Sequence, residues 1–81
     1  MKIKLVGYAV LGELLPSNPM EYETADDTTA AELTANLAKD FPDAAEILKI
    51  TRLASEDDYI DRRSKLVDGQ EYCLIPPISG G

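Results

Sequence analysis

Apolar and polar side chains alternate along two short segments near the start of the chain. Residues 2–6 are apolar at every second position, which predicts a strand with one buried face, and we expect it to continue through residues 7–9. Residues 20–24 alternate again and predict the return strand of a hairpin, with the apolar members facing inward. Between them, residues 12–19 combine prolines with small polar residues, so we expect a loop there.

The next segment carries a helix signal. Thr29 and Glu32 have the spacing of a capping box, in which each residue's side chain accepts a hydrogen bond from the other's backbone amide. Apolar residues then recur at helical spacing, at Ala30, Leu33, Leu37, Ala38 and Phe41. Pro42 should end the helix, because the residue before a proline avoids helical backbone angles. Residues 43–46 repeat the cap pattern more weakly and suggest a further turn or two of helix.

Three more strands are expected in the second half of the chain. Residues 50–55 predict a short strand, residues 59–60 a stubby one, and residues 71–75 a longer one. A polar loop at 61–65 and a tight turn at Asp68-Gly69 separate them. One main helix crossing a mixed sheet of about five strands is an α+β arrangement, which we assign to residues 1–75 of a single domain.

Residues 76–81 form an extended C-terminal tail in this interpretation. Pro76 and Pro77 fix the backbone angle φ and donate no hydrogen bond, so the tail should be stiff at its root. A polyproline-like segment rises ~3.1 Å per residue and would carry its end roughly 19 Å from the last strand. Gly80 and Gly81 lack a Cβ and fit a channel too narrow for other residues. The α-carboxylate of Gly81 is therefore the candidate reactive group.

Composition excludes several function classes. Eight basic against fifteen acidic side chains give a net charge of −7, which opposes binding to nucleic acid or to an anionic membrane. The chain has no histidine, no cysteine–histidine cluster with metal-ligand spacing and no glycine-rich phosphate loop, so we predict no metal site and disfavour a stand-alone enzyme. A single cysteine and the lack of a signal peptide or membrane-length apolar run favour a cytoplasmic protein.

Three segments together resemble the ubiquitin-like β-grasp sulfur carriers, and most closely the molybdopterin synthase small subunit (MoaD) family. Residues 8–13 are similar to that family's segment after the first strand, and residues 66–71 are similar to its Asp-Gly turn. Residues 74–81, Leu-Ile-Pro-Pro-Ile-Ser-Gly-Gly, are similar to its ending almost letter for letter. The resemblance implies a β-grasp fold and a non-catalytic subunit that donates sulfur for molybdenum cofactor biosynthesis.

The resemblance also implies partners and residue roles. A separate ubiquitin-activating-type (MoeB-like) enzyme would adenylate Gly81 with ATP and magnesium, and the adenylate would become a thiocarboxylate. No cofactor would be bound by the chain itself. The sulfur would go to a pterin precursor in a large synthase subunit (MoaE-like), within a heterotetramer. The tail would enter the partner's channel through Pro76, Pro77, Ile78, Ser79 and Gly80, and the surface that docks on partners would include Tyr8, Leu11 and Ile75.

Several alternatives stay open at the level of sequence. Tyr8, Leu11 and Ile75 could complete a thin core instead of docking on partners. Cys73 could relay sulfur, although a small buried hydrophobic residue is preferred. The cluster Arg62, Arg63 and Lys65 could contact acidic residues of the activating enzyme, but a solvated loop is favoured. The competing functions are a thiamine-type (ThiS-like) sulfur carrier, a ubiquitin-like modifier conjugated through Gly81, and a passive binding module.

Overall fold

A computed structural model describes residues 1–56 and 58–77. The five strands are β1 (Lys2–Gly7), β2 (Met20–Glu23), β3 (Arg52–Ser55), β4 (Asp58–Tyr59) and β5 (Glu71–Ile75). The helices are α1 (Val10–Leu14), α2 (Ala30–Asp40) and α3 (Ala45–Leu48), and a 3₁₀ turn at Pro42–Ala44 precedes α3.

The strands form one mixed sheet in the order β2-β1-β5-β3-β4. The central pair, β1 and β5, is parallel, and all other neighbours are antiparallel. The two parallel strands are joined by a long connection that contains the main helix, as a parallel pairing requires. The predicted α+β class with a five-stranded mixed sheet is therefore confirmed.

The core lies between one face of the sheet and the helices. Strand parity sends alternate residues to this inner face, which accounts for the burial of Ile3 and Leu5 in β1 and of Tyr72 and Leu74 in β5. The helices complete the core through Leu11, Leu33, Leu37, Ala44 and Leu48. Phe41 and Ala38 are only partly buried and pack against its edge.

The predicted capping box starts α2. The Thr29 hydroxyl accepts from the Glu32 backbone N–H at 3.2 Å, and Glu32 Oε1 accepts from the Thr29 N–H at 2.9 Å. The helix ends at Asp40, one residue before the Phe41-Pro42 step, as predicted. Within the part of the chain that is described, no helix combines the length and the apolar character needed to cross a membrane.

A tyrosine ties the edge strand β2 to the end of α2. The Tyr22 hydroxyl donates to Asp40 Oδ2 at 2.5 Å, and its ring is partly buried against the core. Burial first, and then the hydrogen bond to Asp40, raise the pKa of Tyr22 to about 12. The hydrogen bond attaches β2 to the end of α2, in addition to its pairing with β1.

The segment after β1 differs from the sequence prediction. β1 ends at Gly7, Ala9 takes a φ of 52°, and the short helix α1 follows where we expected strand and then loop. α1 has five residues, no side-chain cap and one buried residue, Leu11, so it is too short to leave a helical pattern in the sequence. The strand predicted at residues 59–60 is also shifted by one position, to Asp58–Tyr59.

An asparagine side chain fastens the loop after α1 to the end of β1. Asn18 Oδ1 accepts from the Gly7 N–H and Asn18 Nδ2 donates to the Gly7 carbonyl, both at 2.9 Å. A Cβ built on Gly7 would lie 3.0 Å from the backbone C and O of Leu11. Gly7 is thus required by close packing of two backbone segments.

The Asp68-Gly69 turn fixes the start of β5 against the start of β1. Asp68 Oδ1 accepts from the Lys2 N–H at 2.7 Å, and the Gly69 N–H donates to the Lys2 carbonyl at 2.7 Å. Gly69 has a φ of 82°, which favours glycine, but a Cβ there would meet nothing within 4 Å. The predicted turn is confirmed.

The two glycines give a comparative prediction. We expect Gly69→Ala to lower the free energy of unfolding by about 1 kcal/mol through its positive φ alone. Gly7→Ala should cost more, about 2–3 kcal/mol, because its Cβ meets backbone that cannot rotate away. Urea unfolding followed by circular dichroism measures both, with Gly69→Asn as a control that tolerates a positive φ. An equal or smaller loss for Gly7→Ala would contradict the packing explanation.

Candidate functional site

The tail leaves the sheet beside the end of β1. Because β1 and β5 are parallel, their C-terminal ends lie side by side at the same end of the sheet, where Gly7 is in register with Leu74. The Tyr8 N–H donates to the Leu74 carbonyl at 3.1 Å, which extends the pairing by one residue. Tyr8, 49% exposed, and half-buried Ile75 therefore lie close to the root of the tail.

An apolar surface surrounds this root on the outer face of the sheet. The register aligns Val6, Cys73, Ala54 and Tyr59 in a row across four strands, since Cys73 pairs with both Val6 and Ala54, and Ala54 pairs with Tyr59. All four are partly or fully exposed. We call the row and its two neighbours the tail-root surface, made of Val6, Tyr8, Ala54, Tyr59, Cys73 and Ile75.

The opposite end of the same outer face is charged. Lys4 lies between Glu21 of β2 and Glu71 of β5, and Lys2 is in register with Glu23. Alternating charges across neighbouring strands keep that end solvated. The apolar character is therefore confined to the end of the sheet from which the tail emerges.

Tyr8 and Cys73 touch at the centre of the tail-root surface. The Cys73 Sγ atom lies 3.9 Å from the Tyr8 hydroxyl oxygen. The pKa of the Tyr8 phenol is raised, first by the hydrogen bond with Cys73 and second by the charge interaction with the same residue. Cys73 is half-exposed, so its side chain is not the fully buried hydrophobic residue preferred from the sequence.

Leu11 does not belong to the surface and is a correction to the sequence prediction. Its side chain is 0% exposed, because the unpredicted helix α1 turns it into the core beneath the end of β1. Tyr8 and Ile75 do reach the surface. Val6, Ala54 and Tyr59 were missed, since only the pairing of β3 with β5 and β4 brings them beside Cys73.

The structure describes the first two residues of the tail. Pro76, directly after β5, is buried, whereas Pro77 is exposed. The stiff part of the tail therefore begins inside the folded domain. Ile78, Ser79, Gly80 and Gly81 lie outside the described residues, so their roles stay predictions. Within residues 1–56 and 58–77, no three metal-ligating side chains cluster around a common point.

Solved structures share this fold. A putative molybdopterin converting factor subunit 1 from Pyrococcus furiosus superposes with a TM-score of 0.82, at 19% identity, over 96% of this chain and 99% of its own. One chain in a complex of subunits 1 and 2 of the molybdopterin-converting factor from Helicobacter pylori gives a TM-score of 0.67, at 23% identity and full coverage of both chains.

A protein modifier is also a structural neighbour. Small archaeal modifier protein 1 from Haloferax volcanii gives a TM-score of 0.73, at 18% identity, over 95% of this chain and 98% of its own. Together with a ubiquitin from Caldiarchaeum subterraneum, which gives 0.66, these neighbours confirm the predicted ubiquitin-like β-grasp fold. At such identities they establish the fold alone.

Sequence comparison separates the families that share the fold. No protein-family model matches the chain. A molybdopterin synthase sulfur carrier subunit from Chlamydomonas reinhardtii is 30% identical over 83 aligned positions, which cover the whole of both chains. One from Dictyostelium discoideum is 33% identical over 58 positions, covering 69% of this chain and 67% of its own. The chain therefore belongs to the molybdopterin synthase sulfur carrier subunits.

Proposed function

We propose that this chain carries sulfur as a thiocarboxylate on Gly81 and delivers it to a pterin precursor during molybdenum cofactor biosynthesis. The observation that carries the proposal is the end-to-end match to a named sulfur carrier subunit. The Pro-Pro-Ile-Ser-Gly-Gly ending supports it, because these residues suit a stiff arm that reaches into a narrow site.

The chemistry requires activation of a carboxylate. The negative charge of a carboxylate repels nucleophiles, so an activating enzyme joins it to AMP from ATP and releases pyrophosphate. Sulfide, or the terminal sulfur of a persulfide, then attacks the acyl carbon and displaces AMP. Sulfide yields the thiocarboxylate directly, and the acyl disulfide formed from a persulfide yields it after cleavage by a thiol. Magnesium and ATP belong to the activating enzyme in this scheme, and the chain supplies only the acyl group of Gly81.

The scaffold contributes the position of that group. β5 is the central strand of the sheet and is paired on both sides, and the buried Pro76 continues it without a flexible joint. The root of the tail is therefore held in a fixed position relative to the folded domain. Less conformational entropy is lost when the tail enters a partner than would be lost by a flexible arm. Gly80 is assigned to passage through the partner's channel and Ser79 to contacts within it.

The large subunit of molybdopterin synthase is the proposed acceptor partner, in a heterotetramer. The Helicobacter pylori neighbour was solved as a complex of subunits 1 and 2, which supports pairing with a large subunit. The tail-root surface is the proposed contact, because it is the apolar part of the outer face and surrounds the departing tail. The single cysteine suits a reducing compartment and supports a cytoplasmic setting.

A ubiquitin-like modifier is the second candidate, favoured by the archaeal modifier among the structural neighbours. Both functions use an adenylated glycine, so the fold does not separate them. The products differ, since a carrier ends each cycle as a free protein and a modifier ends in an isopeptide bond to lysine. The match at 30% identity over the whole chain favours the carrier.

Intact mass spectrometry tests the activation step. After incubation with the activating enzyme, ATP, magnesium and sulfide, we expect the chain to gain the mass difference between sulfur and oxygen. A variant with one alanine added after Gly81 should gain nothing, because the added Cβ blocks entry of the terminus into a glycine-specific channel.

Two controls make this test decisive. The activating enzyme must convert its own known carrier under the same conditions, and circular dichroism must show that the extended chain is folded. An unchanged wild-type mass with an active enzyme would refute the proposal. Higher-mass conjugates in place of the thiocarboxylate would favour the modifier.

The docking surface is tested by a matched pair of substitutions. Tyr8 and Val67 are 49% and 57% exposed, but Val67 precedes β5 and lies at the far end of the sheet from the tail. We expect Tyr8→Asp to raise the dissociation constant for the large subunit by at least about tenfold, because it places a charge in a desolvated contact. Val67→Asp should change it less than about twofold. Calorimetric titration gives both constants, and equal effects would contradict the assignment.

A further inference from the structure

A second surface feature lies between the main helix and the β3 edge of the sheet. A groove of about 690 Å³ runs between the first half of α2, the segment 49–53 and the loop 60–63. Part of its lining is apolar, and we call this part, Ala30, Ala31, Leu53 and Ile60, the floor. Ile50 adds an apolar side chain that is 57% exposed.

The groove collects positive charge in an acidic protein. The chain has eight basic side chains and a net charge of −7, yet four of the eight line this groove. They are Lys49 and all three arginines of the chain, Arg52, Arg62 and Arg63. Among the residues that the structure describes, Asp61 is the one acidic member of the lining. The groove therefore favours a negatively charged ligand.

The basic side chains of the groove form only weak ion pairs, so they can still bind a ligand. Arg63 Nε is 3.6 Å from Asp61 Oδ1 and Lys49 Nζ is 3.7 Å from Glu46 Oε1, both between strongly exposed side chains, and such pairs are weak in water. Arg52 Cζ lies over the Tyr59 ring at 4.2 Å from its centroid, and a guanidinium in such a contact keeps N–H donors that can bind a carboxylate. Within residues 1–56 and 58–77, Arg62 forms no ion pair.

The wall of the groove is fixed by backbone contacts. The Ala31 N–H donates to the Arg62 carbonyl at 2.9 Å, and the Ala30 N–H donates to the Ser64 carbonyl at 3.0 Å. These bonds attach the arginine loop to the start of α2 and occupy the N–H groups of the helix terminus. Recognition of an anion therefore falls to the arginine and lysine side chains rather than to the helix end.

The groove adjoins the tail-root surface. Arg52 is in register with Ile75, so one wall of the groove is the strand that flanks the last residue before the tail. Arg52 also stacks on Tyr59, a member of that surface. A protein that covers the tail root can reach the groove without leaving the surface of the carrier.

We propose that the groove binds an acidic segment of the large synthase subunit, with an aliphatic side chain on the apolar floor and carboxylates on the arginines. An open groove with an apolar floor and dispersed cations suits a polypeptide better than a compact anion, which would require its donors to converge. This inference rests on the proposed function, because it names a second contact of the same partner. The contact would steer association and align the tail with the partner's channel.

Charge reversal at matched positions tests it. Arg62→Glu and Lys39→Glu make the same change in net charge, and both residues are exposed, but Lys39 lies in the last turn of α2 outside the groove. We expect Arg62→Glu to raise the dissociation constant for the large subunit by about tenfold or more at low salt, and Lys39→Glu by less than about twofold. Arg62→Lys should retain most of the affinity, and the difference should shrink as salt is added.

The outcomes separate the two claims. If the wild-type chain binds the large subunit and the two reversed variants bind equally, the groove proposal is wrong and the proposed function stands. If the wild-type chain does not bind that subunit at all, both fail. Titration with free ATP tests whether the groove binds a small anion instead. The proposal would be overturned if Arg62→Glu abolished ATP binding and left the affinity for the large subunit unchanged. Urea unfolding of both variants confirms that the fold is retained.

Discussion

The parallel pairing of β1 with β5 is the constraint on which the rest of the structure depends. It places the two most buried strands at the centre of the sheet, and the Asp68-Gly69 turn sets their register by bonding to Lys2. At the other end it brings Tyr8 beside Leu74. A slip of one residue would exchange the inner and outer faces of β5, sending Tyr72 and Leu74 to solvent. The same register therefore builds the core and the surface around the tail.

The inner face of the sheet contributes to stability, and the outer face carries the surface proposed for partner binding. Inner positions hold residues such as Ile3, Leu5 and Leu74, which are almost fully buried. Outer positions next to the tail hold apolar residues that no part of the described chain fully covers, such as Val6 and Tyr59. Leaving apolar area exposed adds nothing to folding, so an apolar patch on the outer face of the sheet, at the end that carries the tail, suits contact with a partner.

Much of the fold could be predicted because its signals are local. The alternation in β1 and β2 and the capping box at Thr29 each depend on a few adjacent residues. α1 could not be predicted, since a five-residue helix has too few turns to show periodicity, and Leu11 was consequently assigned to the surface instead of the core. Short helices of this kind are held by tertiary packing rather than by their own propensity.

The candidate sites depended more on contacts between distant residues. The tail sequence predicts that Gly81 is the reactive end, and strand parity places Ile75 on the opposite face from Leu74. The row from Val6 to Tyr59 required the register of three strand pairs. The arginine groove joins Arg52, Arg62 and Arg63 with α2, and the sequence alone favoured a solvated loop for the last two. The fold brings together in one groove basic residues that are far apart in the sequence.

Transfer of sulfur from Gly81 is the central claim, and a single-turnover reaction tests it most directly. The chain is prepared with a C-terminal thiocarboxylate and mixed with the large subunit and the pterin precursor, without activating enzyme or free sulfide. The protein mass should return to that of the carboxylate in proportion to the sulfurated pterin that forms. Formation of sulfurated product while the protein keeps its thiocarboxylate would contradict the account.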